Sequence, residues 1–464
     1  MRRADREPTR SRGDLMGSRP AVAFFSLCTV MVLFSVPSWS QSQEQSPGTD
    51  MSLEQAVEMV LQRSPLGQAA DANLTAAEQG KSSVRGEFLP KLKTQMDFTL
   101  TDTVPEIAIP PLLPGMEPVR FIAGDDRILS SKTTLEQPVF TGLALLSQYR
   151  LADLDRRQAV SAKEDTRQGL ILQTYENYYS VLVAEKAVAV ADQSVTQLES
   201  HAEVARQFFE NGMIPKNDLL KTQVSLAETK RRRIEAVHAL DLAWSRLRTL
   251  LRVDEREGPL RLTEQLGWKP YEASLEECIS TALRQRPQLL LTQLDVDKAE
   301  KGVTLARSGF YPAVALVGAV DHEEGGFIEN PNQLSATVHA SWNVWEWGAN
   351  YYKVQQSKSM VTVAKARHTQ AVDTVKLQVR AAYLSVKEWR ESIDVAKASI
   401  EQAEENYRIT VEQYKENVTT STEVLDAQTL QAQAQMNYYS ALSNYNIALA
   451  RLQQSMGTLQ GPVC

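Results

Sequence analysis

The chain has 464 residues, 43% hydrophobic and 23% charged, with three cysteines: room for roughly three ordinary domains, too apolar for a disordered chain and too poor in cysteine for a disulfide scaffold. The net charge is −7, and six Arg against Asp5, Glu7 and Asp14 within positions 1–40 leave a net of −10 on the rest of the chain. A body that acidic is a poor binder of phosphate backbones, which excludes nucleic acid as a partner.

Residues 1–40 read as an export signal. A basic stretch precedes an apolar run, Ala21 to Val36, followed by Ser38-Trp39-Ser40 and a Gln/Ser-rich segment. That is the order of a secretory signal peptide, and the run is short for a spanning helix. Cys28 lacks the upstream Leu of a lipoprotein signal, so cleavage after Ser40 without a lipid anchor is expected. The other reading is a retained anchor helix. Residues 41–51 follow as an N-terminal segment. Beyond the signal only Cys278 and Cys464 remain, with no readable pairing. No later window approaches 18 uninterrupted apolar residues, so no further transmembrane helix is expected.

From residue 52 the chain repeats itself. Ser52-Leu53-Glu54-Gln55-Ala56 returns as Ser274-Leu275-Glu276-Glu277-Cys278, a shift of 222 that also carries Pro65 onto Pro287, Gly80 onto Gly302 and Pro90 onto Pro312. Later a shift of 205 carries Tyr178 onto Tyr383, Gln197 onto Gln402 and Arg246-Leu247 onto Arg451-Leu452. The shift falls because the first copy carries an insertion between Thr101 and Leu129. Pro105, Pro110, Pro111, Pro114 and Pro118 mark it as a loop. The chain is thus two copies of one unit, 52–251 and 274–457, joined by an equatorial segment at 252–273 and followed by a tail at 458–464.

Within each copy the hydrophobic period changes. Leu92, Thr94, Met96, Phe98 and Leu100 alternate with Lys93, Gln95, Asp97 and Thr99. Leu334, Ala336, Val338, Ala340, Trp342 and Val344 alternate with Ser335, Thr337, His339 and Ser341. Period two predicts strands at about 91–101 and 334–344, each with one apolar and one polar face. Less regular partners at about 129–139 and 313–322 complete one hairpin per copy. His339 falls on the polar face, toward a lumen.

The rest reads as helix. A long helix is predicted over 143–211 and again over 350–416. Val188, Ala191, Val195, Leu198, Ala202, Ala205 and Phe209 step by three and four. So do Ile393, Ala396, Ile400, Ala403, Tyr407, Thr410 and Tyr414, a narrow coiled-coil seam. Nearly seventy residues at 1.5 Å each span about 100 Å. Asn211-Gly212 with Pro215 beyond stops the first helix, and Asn417 stops the second. Return helices follow at 216–251 and 420–456.

Two hairpins give four strands, which cannot close a barrel, and open edges are not tolerated in lipid. Two chains would give eight strands and a filled interior; three give twelve and a water-filled lumen, with the long helices as a second tube. Phe88, Phe140, Phe310, Tyr311, Trp345, Trp347 and Tyr351 gather where strand meets helix. A membrane-interface girdle looks like this, and so does ordinary corner packing.

Near the second tip Glu423 and Asp426 share a helix face. A trimer would bring six such carboxyl groups around one axis, favouring cations. Thr420-x-x-Glu423 reads equally as a capping box. Lys230-Arg231-Arg232-Arg233 reads as a solvated helix face. The five His are scattered without ligand spacing, and there is no Gly-rich phosphate loop or nucleophile elbow. Neither an enzyme nor a metal or other cofactor is expected.

Several segments, in order twice over, resemble the TolC-like outer-membrane efflux protein family. At the strand exits they are Gln137-Pro138-Val139-Phe140-Thr141-Gly142 and Trp342-Asn343-Val344-Trp345-Glu346-Trp347-Gly348. At the helix tips they are Asn211-Gly212 to Asn217-Asp218-Leu219 and Tyr414 to Thr422-Glu423-Val424-Leu425-Asp426-Ala427. The resemblance runs from about Ser52 to Gly457. It implies a mainly α fold with a small β part, built from a duplicated helix–β-hairpin–long helix unit. The assembly it implies is a homotrimer: a 12-strand β-barrel in outer-membrane lipid, continued by a 12-helix α-barrel in the periplasm.

The implied function is a passive export duct of a tripartite efflux system, joined to a periplasmic adaptor (membrane fusion) protein and an inner-membrane transporter. The outer-membrane component of type I protein secretion is the other use of the family. Glu423 and Asp426 match the acidic ring of the family's periplasmic gate, and Asp218 and Tyr414 match its tip-closure network. Gly212, Met213, Ile214, Pro215, Asn417 and Val418 match the adaptor-contact turns. The chain departs from the family at Thr419, where a basic residue is expected, so closure would rest on hydrogen bonds, Lys216 or Lys415. The rival class, an exported structural coiled-coil protein, leaves the alternating strands without a purpose.

Overall fold

The structure, a computed structural model, describes residues 49–461 apart from 105, 112–114, 116, 123, 255–257 and 326–329. The export signal expected at 1–40, residues 41–48, Pro105, Pro114 and Cys464 lie outside the described residues.

The first copy runs β1 (Thr49–Met51), α1 (Leu53–Arg63), α2 (Pro65–Gly86), β2 (Lys91–Leu100), β3 (Glu106–Ile109), β4 (Val119–Ile122), β5 (Arg127–Thr141), α3 (Ala144–Glu210) and α4 (Lys216–Leu251). After β6 (Leu260–Leu262) come α5 (Leu275–Gln285), α6 (Pro287–Arg307), β7 (Ala313–Glu324), β8 (Asn332–Ser341), α7 (Ala349–Lys415) and α8 (Ser421–Met456). The starts of α1 and α5, and of β2 and β7, are 222 apart; those of β5 and β8, α3 and α7, and α4 and α8 are 205 apart. Helices α3 and α7 each have 67 residues, and α4 and α8 each have 36.

Local chemistry explains the repeated starts. Ser52 and Ser274 cap α1 and α5, each accepting at 3.2 Å from the backbone N–H of Gln55 or Glu277. The Gln55 and Glu277 side chains reach back to the cap N–H at 2.9 and 2.8 Å. These are capping boxes hidden in the repeated Ser-Leu-Glu motif. Pro65 and Pro287 then stand at the first turns of α2 and α6, where a missing N–H costs nothing.

The four main strands form one antiparallel sheet in the order β2-β5-β7-β8, so β2 and β8 are its open edges. The register aligns the faces. Leu92, Met96 and Phe98 share one face with Leu129 and Leu135, Leu316 and Val320, and Leu334 and Val338. The other face carries Lys93, Gln95, Asp97, Lys132, Thr134, Asp321, Ser335, Thr337 and His339. Lys132 and Asp321 pair across that face at 3.1 Å.

Three expectations are corrected here. Strand β5 is longer than 129–139, and it bulges between Pro138 and Phe140, where proline has no N–H to give the ladder. Strand β8 stops at Ser341, short of 344, because residues 342–348 swing into α7 through left-handed backbone at Trp347 and Gly348 (φ 50° and 82°). The insertion is not wholly loop: Ile107 pairs with Phe121 and Ile109 with Val119 in a short β3–β4 hairpin.

Two apolar clusters, each built mainly from one copy, pack around the middle of α3 and of α7. Met51, Ala56 and Val60 pack with Ile171, Tyr178, Leu247 and Leu251; Cys278, Val375 and Val379 pack with Tyr445 and Leu452. Tyr178 and Tyr445 bury their rings and donate to the carbonyls of Met51 (3.1 Å) and Lys269 (2.6 Å), tying β1 to α3 and the connecting segment to α8. Arg390 lies 3.9 Å over Trp268, a further clamp on that segment. Among the described residues no helix is long and apolar enough to cross a membrane.

A candidate gate at the helix tips

Both long helices end in one motif. The Gly212 N–H donates to Phe209 O (2.9 Å) and the Met213 N–H to Phe208 O (2.8 Å); the Asn417 N–H donates to Tyr414 O (3.0 Å) and the Val418 N–H to Gln413 O (2.8 Å). Gly212 and Asn417 supply the left-handed residue, with φ of 72° and 55°. Asparagine tolerates that conformation, so the second tip keeps its turn without a glycine. The Asn417 amide lies 3.8 Å from Met213 Sδ, joining the two turns. Gly212, Met213, Pro215, Asn417 and Val418 are exposed and Ile214 is half-buried.

Glu423 and Asp426 are both exposed in the first turns of α8. Thr420 makes no side-chain cap, so the capping box that competed for Glu423 does not form. Among the described residues neither carboxyl group has a hydrogen bond or ion pair within the chain.

Behind the acids lies a buried polar junction of four helices. His201 of α3 and Ser421 of α8 share a hydrogen bond (Nε2 to Oγ, 2.8 Å), and Ser421 shares another with Thr222 of α4 (2.8 Å). Tyr414 of α7 closes over them, its ring 4.7 Å from that of His201 and 5.5 Å from that of Phe208. The Tyr414 hydroxyl is buried with no well-formed hydrogen bond, though it lies near Ser421. Burial, with the charge of Asp218 adding to it, pushes the phenol pKa up. The Asp218 carbonyl accepts from Thr222 Oγ1 at 3.0 Å, and its carboxylate lies 3.8 Å from Lys221.

Asp218 and Tyr414 thus border the same junction, Asp218 through its carbonyl to Thr222 and its charge on the phenol, and the neighbouring lysines do not join them. Lys415 pairs with Glu412 at 2.9 Å, and no ion pair links Lys216 to Asp218 among the described residues. Within the chain the junction is held by hydrogen bonds and ring contacts. His201, Thr222 and Ser421 escaped sequence reasoning. The usable signal was the α3 seam: between Leu198 and Ala205 both 201 and 202 keep a three-and-four step. The structure buries His201 along with Ser194, leaves Ala202 half-buried and exposes Phe209. The seam is rotated from the expected one because α3 packs on α8 as well as on α4.

The aromatic residues collect at the strand–helix corner. Phe88 meets Tyr149 edge-on at 6.1 Å, Trp345 meets Trp347 at 5.9 Å, and the Trp342 Nε1–H donates to Phe310 O at 3.2 Å. Trp345 and Trp347 are 74% and 87% exposed, far more than side chains serving corner packing alone. Phe140, Phe310 and Tyr311 are also exposed. The basic run is a paired surface: Lys230 and Arg233 bridge to Glu199 and Asp192 of α3, and Arg231 and Arg232 to Glu228.

A duplicated unit with an amphipathic sheet at one end and paired helix tips at the other defines a class. The chain belongs to the outer membrane efflux protein family, whose pattern matches residues 56–251 and 278–458. The family is one of efflux channels rather than enzymes, located in the outer membrane with a periplasmic helical tube. Among individual proteins, the outer membrane protein TolC of Vibrio cholerae is 24% identical over 249 residues, 53% of this chain and 56% of that relative. The match thus spans a little over half of the relative's length. The Campylobacter jejuni CmeC outer membrane channel shares the fold at a TM-score of 0.76 and 17% identity, over 88% of this chain and 85% of that one. The Vibrio cholerae outer membrane protein VceC does so at 0.73 and 14%, over 87% and 96%. The open state of the Neisseria gonorrhoeae MtrE channel gives 0.70 and 17%, over 87% and 88%.

Proposed function

We propose that three copies form a passive outer-membrane export duct. The observation that carries this is the sheet: four strands, one face apolar, the other polar, and both edges open. Pairing β8 of one copy with β2 of the next three times gives a 12-strand barrel that satisfies every edge and turns the Lys132–Asp321 face to water. The exposed Trp345 and Trp347, with Phe88, Phe140, Phe310 and Tyr311, then mark the periplasmic interface of the outer membrane. Helices α3 and α7, about 100 Å long, carry the conduit across the periplasm.

Glu423 and Asp426 supply six carboxyl groups to the neck, which favours cations there. Asp218 and Tyr414 belong to the junction that keeps the tip shut. The exposed turns Gly212 to Pro215 and Asn417-Val418 face the periplasmic adaptor, and an inner-membrane transporter supplies the energy. The adaptor has to spread the tips, since nothing in the duct consumes fuel. Purified protein in a planar bilayer under a salt gradient should show cation-selective pores, and Glu423→Ala with Asp426→Ala should move the reversal potential toward zero. An unchanged potential would remove both acids from the gate, and the absence of pores would overturn the duct.

A further inference from the structure

The buried junction has a property that the acids do not share. Each hydroxyl carries one proton. Thr222 donates its proton to the Asp218 carbonyl at 3.0 Å, so Ser421 must donate to Thr222. Ser421 Oγ is then left to accept, and the donor must be the Nε2–H of His201. The chain runs one way, from α3 through α8 and α4, and it holds the imidazole as the neutral Nε2–H tautomer. Nδ1 has no hydrogen bond among the described residues. His201 is 6% exposed, yet it borders a cleft of about 260 Å³ between α3 and α7, lined also by Gln197, Tyr407, Tyr414 and Lys415. Water and protons have a route to the ring.

We infer that the His201–Ser421–Thr222 chain, closed over by Tyr414, is an acid-sensitive latch that holds the two helical hairpins of each protomer together at the tip. The inference rests on the tip being the gate of the proposed duct. It fits the missing basic residue at Thr419: a latch of hydrogen bonds and rings replaces a fixed ion pair.

Among the described residues no neighbouring charge compensates a protonated ring. On α3, Glu199 and Glu203 are engaged by Lys230 (2.7 Å) and Arg206 (2.6 Å). On α4, Asp218 lies nearest Lys221 (3.8 Å), and on α7, Lys415 pairs with Glu412 (2.9 Å) while Tyr407 and Tyr414 are phenols held up in pKa by burial. On α8, Glu423 is exposed to solvent. None of these contacts the ring with an ion pair.

Burial lowers the His201 pKa to about 4 in the latched state, whereas a ring released to water titrates near 6.5. The latched state is therefore fully favoured above about pH 6.5. Below it the released state takes the proton that the latched state refuses, and the latch weakens progressively down to about pH 4. Between pH 7.5 and 5.5 the latched-to-released ratio should fall about tenfold per protomer.

The test is open probability in planar bilayers with the periplasmic side taken from pH 7.5 to 5.5, alongside deuterium protection factors for residues 196–226 and 405–430 of the detergent-extracted trimer. Wild type should open more and lose tip protection on acidification, and His201→Gln, which keeps a donor but cannot titrate, should be flat in that window. Ser421→Ala, which keeps the histidine but breaks the chain, should loosen the tip already at pH 7.5. A wild-type protein flat in both readouts, or a His201→Gln profile equal to wild type, would overturn the latch. Pores that form but ignore pH sink the latch alone; a protein that makes no pores sinks the duct, and the protection factors still judge the junction.

Discussion

Helices α4 and α8 hold the same place in the two copies and have 36 residues each, but α4 buries five side chains and α8 fifteen. Their compositions follow suit. Helix α4 carries twelve charged residues and α8 three, and two of those three are Glu423 and Asp426. Helix α8 packs on α7 and also on α3 of the other copy, whereas α4 leans mainly on α3. Duplication thus preserved length and spacing while burial diverged. One return helix became a largely buried strut whose first turns carry the acids, the other an exposed face of paired charges.

The comparison is sharpest at equivalent positions. Leu442 is 2% exposed and its counterpart Val237 is 39% exposed. Leu442→Ala should cost about 2–5 kcal/mol and Val237→Ala about 0.5 kcal/mol or less, read from denaturant melts of the detergent-solubilised protein. Equal losses would mean that a neighbouring copy covers α4, and the contrast would belong to the isolated chain only.

A smaller effect separates the two tips. Gly212→Ala must place a Cβ in left-handed backbone and should cost about 1–2 kcal/mol, while Asn417→Gly should be neutral or slightly stabilising. Hydrogen exchange at residues 205–218 and 410–424 would show it. If both substitutions destabilise alike, the asparagine amide near Met213 contributes more than the backbone argument allows.

The smallest effect should be shared. Ser52→Ala and Ser274→Ala each remove one capping box and should each cost about 1 kcal/mol. A clear inequality in melting would show that the equatorial ends have diverged as far as the return helices have.

Much of this architecture is legible in the residues because it is periodic. Alternation over Leu92–Leu100 and Leu334–Ala340 declares strands with two unlike faces, and the shift of 205 reappears in the starts of β5 and β8, α3 and α7, and α4 and α8. Prolines hid the β3–β4 hairpin, since a turn signal masks the short alternation of Ile107, Ile109, Val119 and Phe121. The junction was hidden for another reason. His201 is one histidine on a seam that reads equally well through Ala202, and its partners Ser421 and Thr222 sit on two other helices, one of them in the second copy. Only the crossing of α3 with α8 chooses between the two. The missing cap at Thr420 likewise depends on backbone geometry that its sequence pattern does not reveal.

The central claim is that an open four-stranded sheet closes by threefold repetition in the outer membrane. The native mass of the protein extracted in detergent from separated outer membranes tests it most directly. Three chains per particle is the predicted result. A monomer or dimer recovered from the soluble periplasmic fraction would contradict it and return the long helices to the role of a coiled-coil spacer.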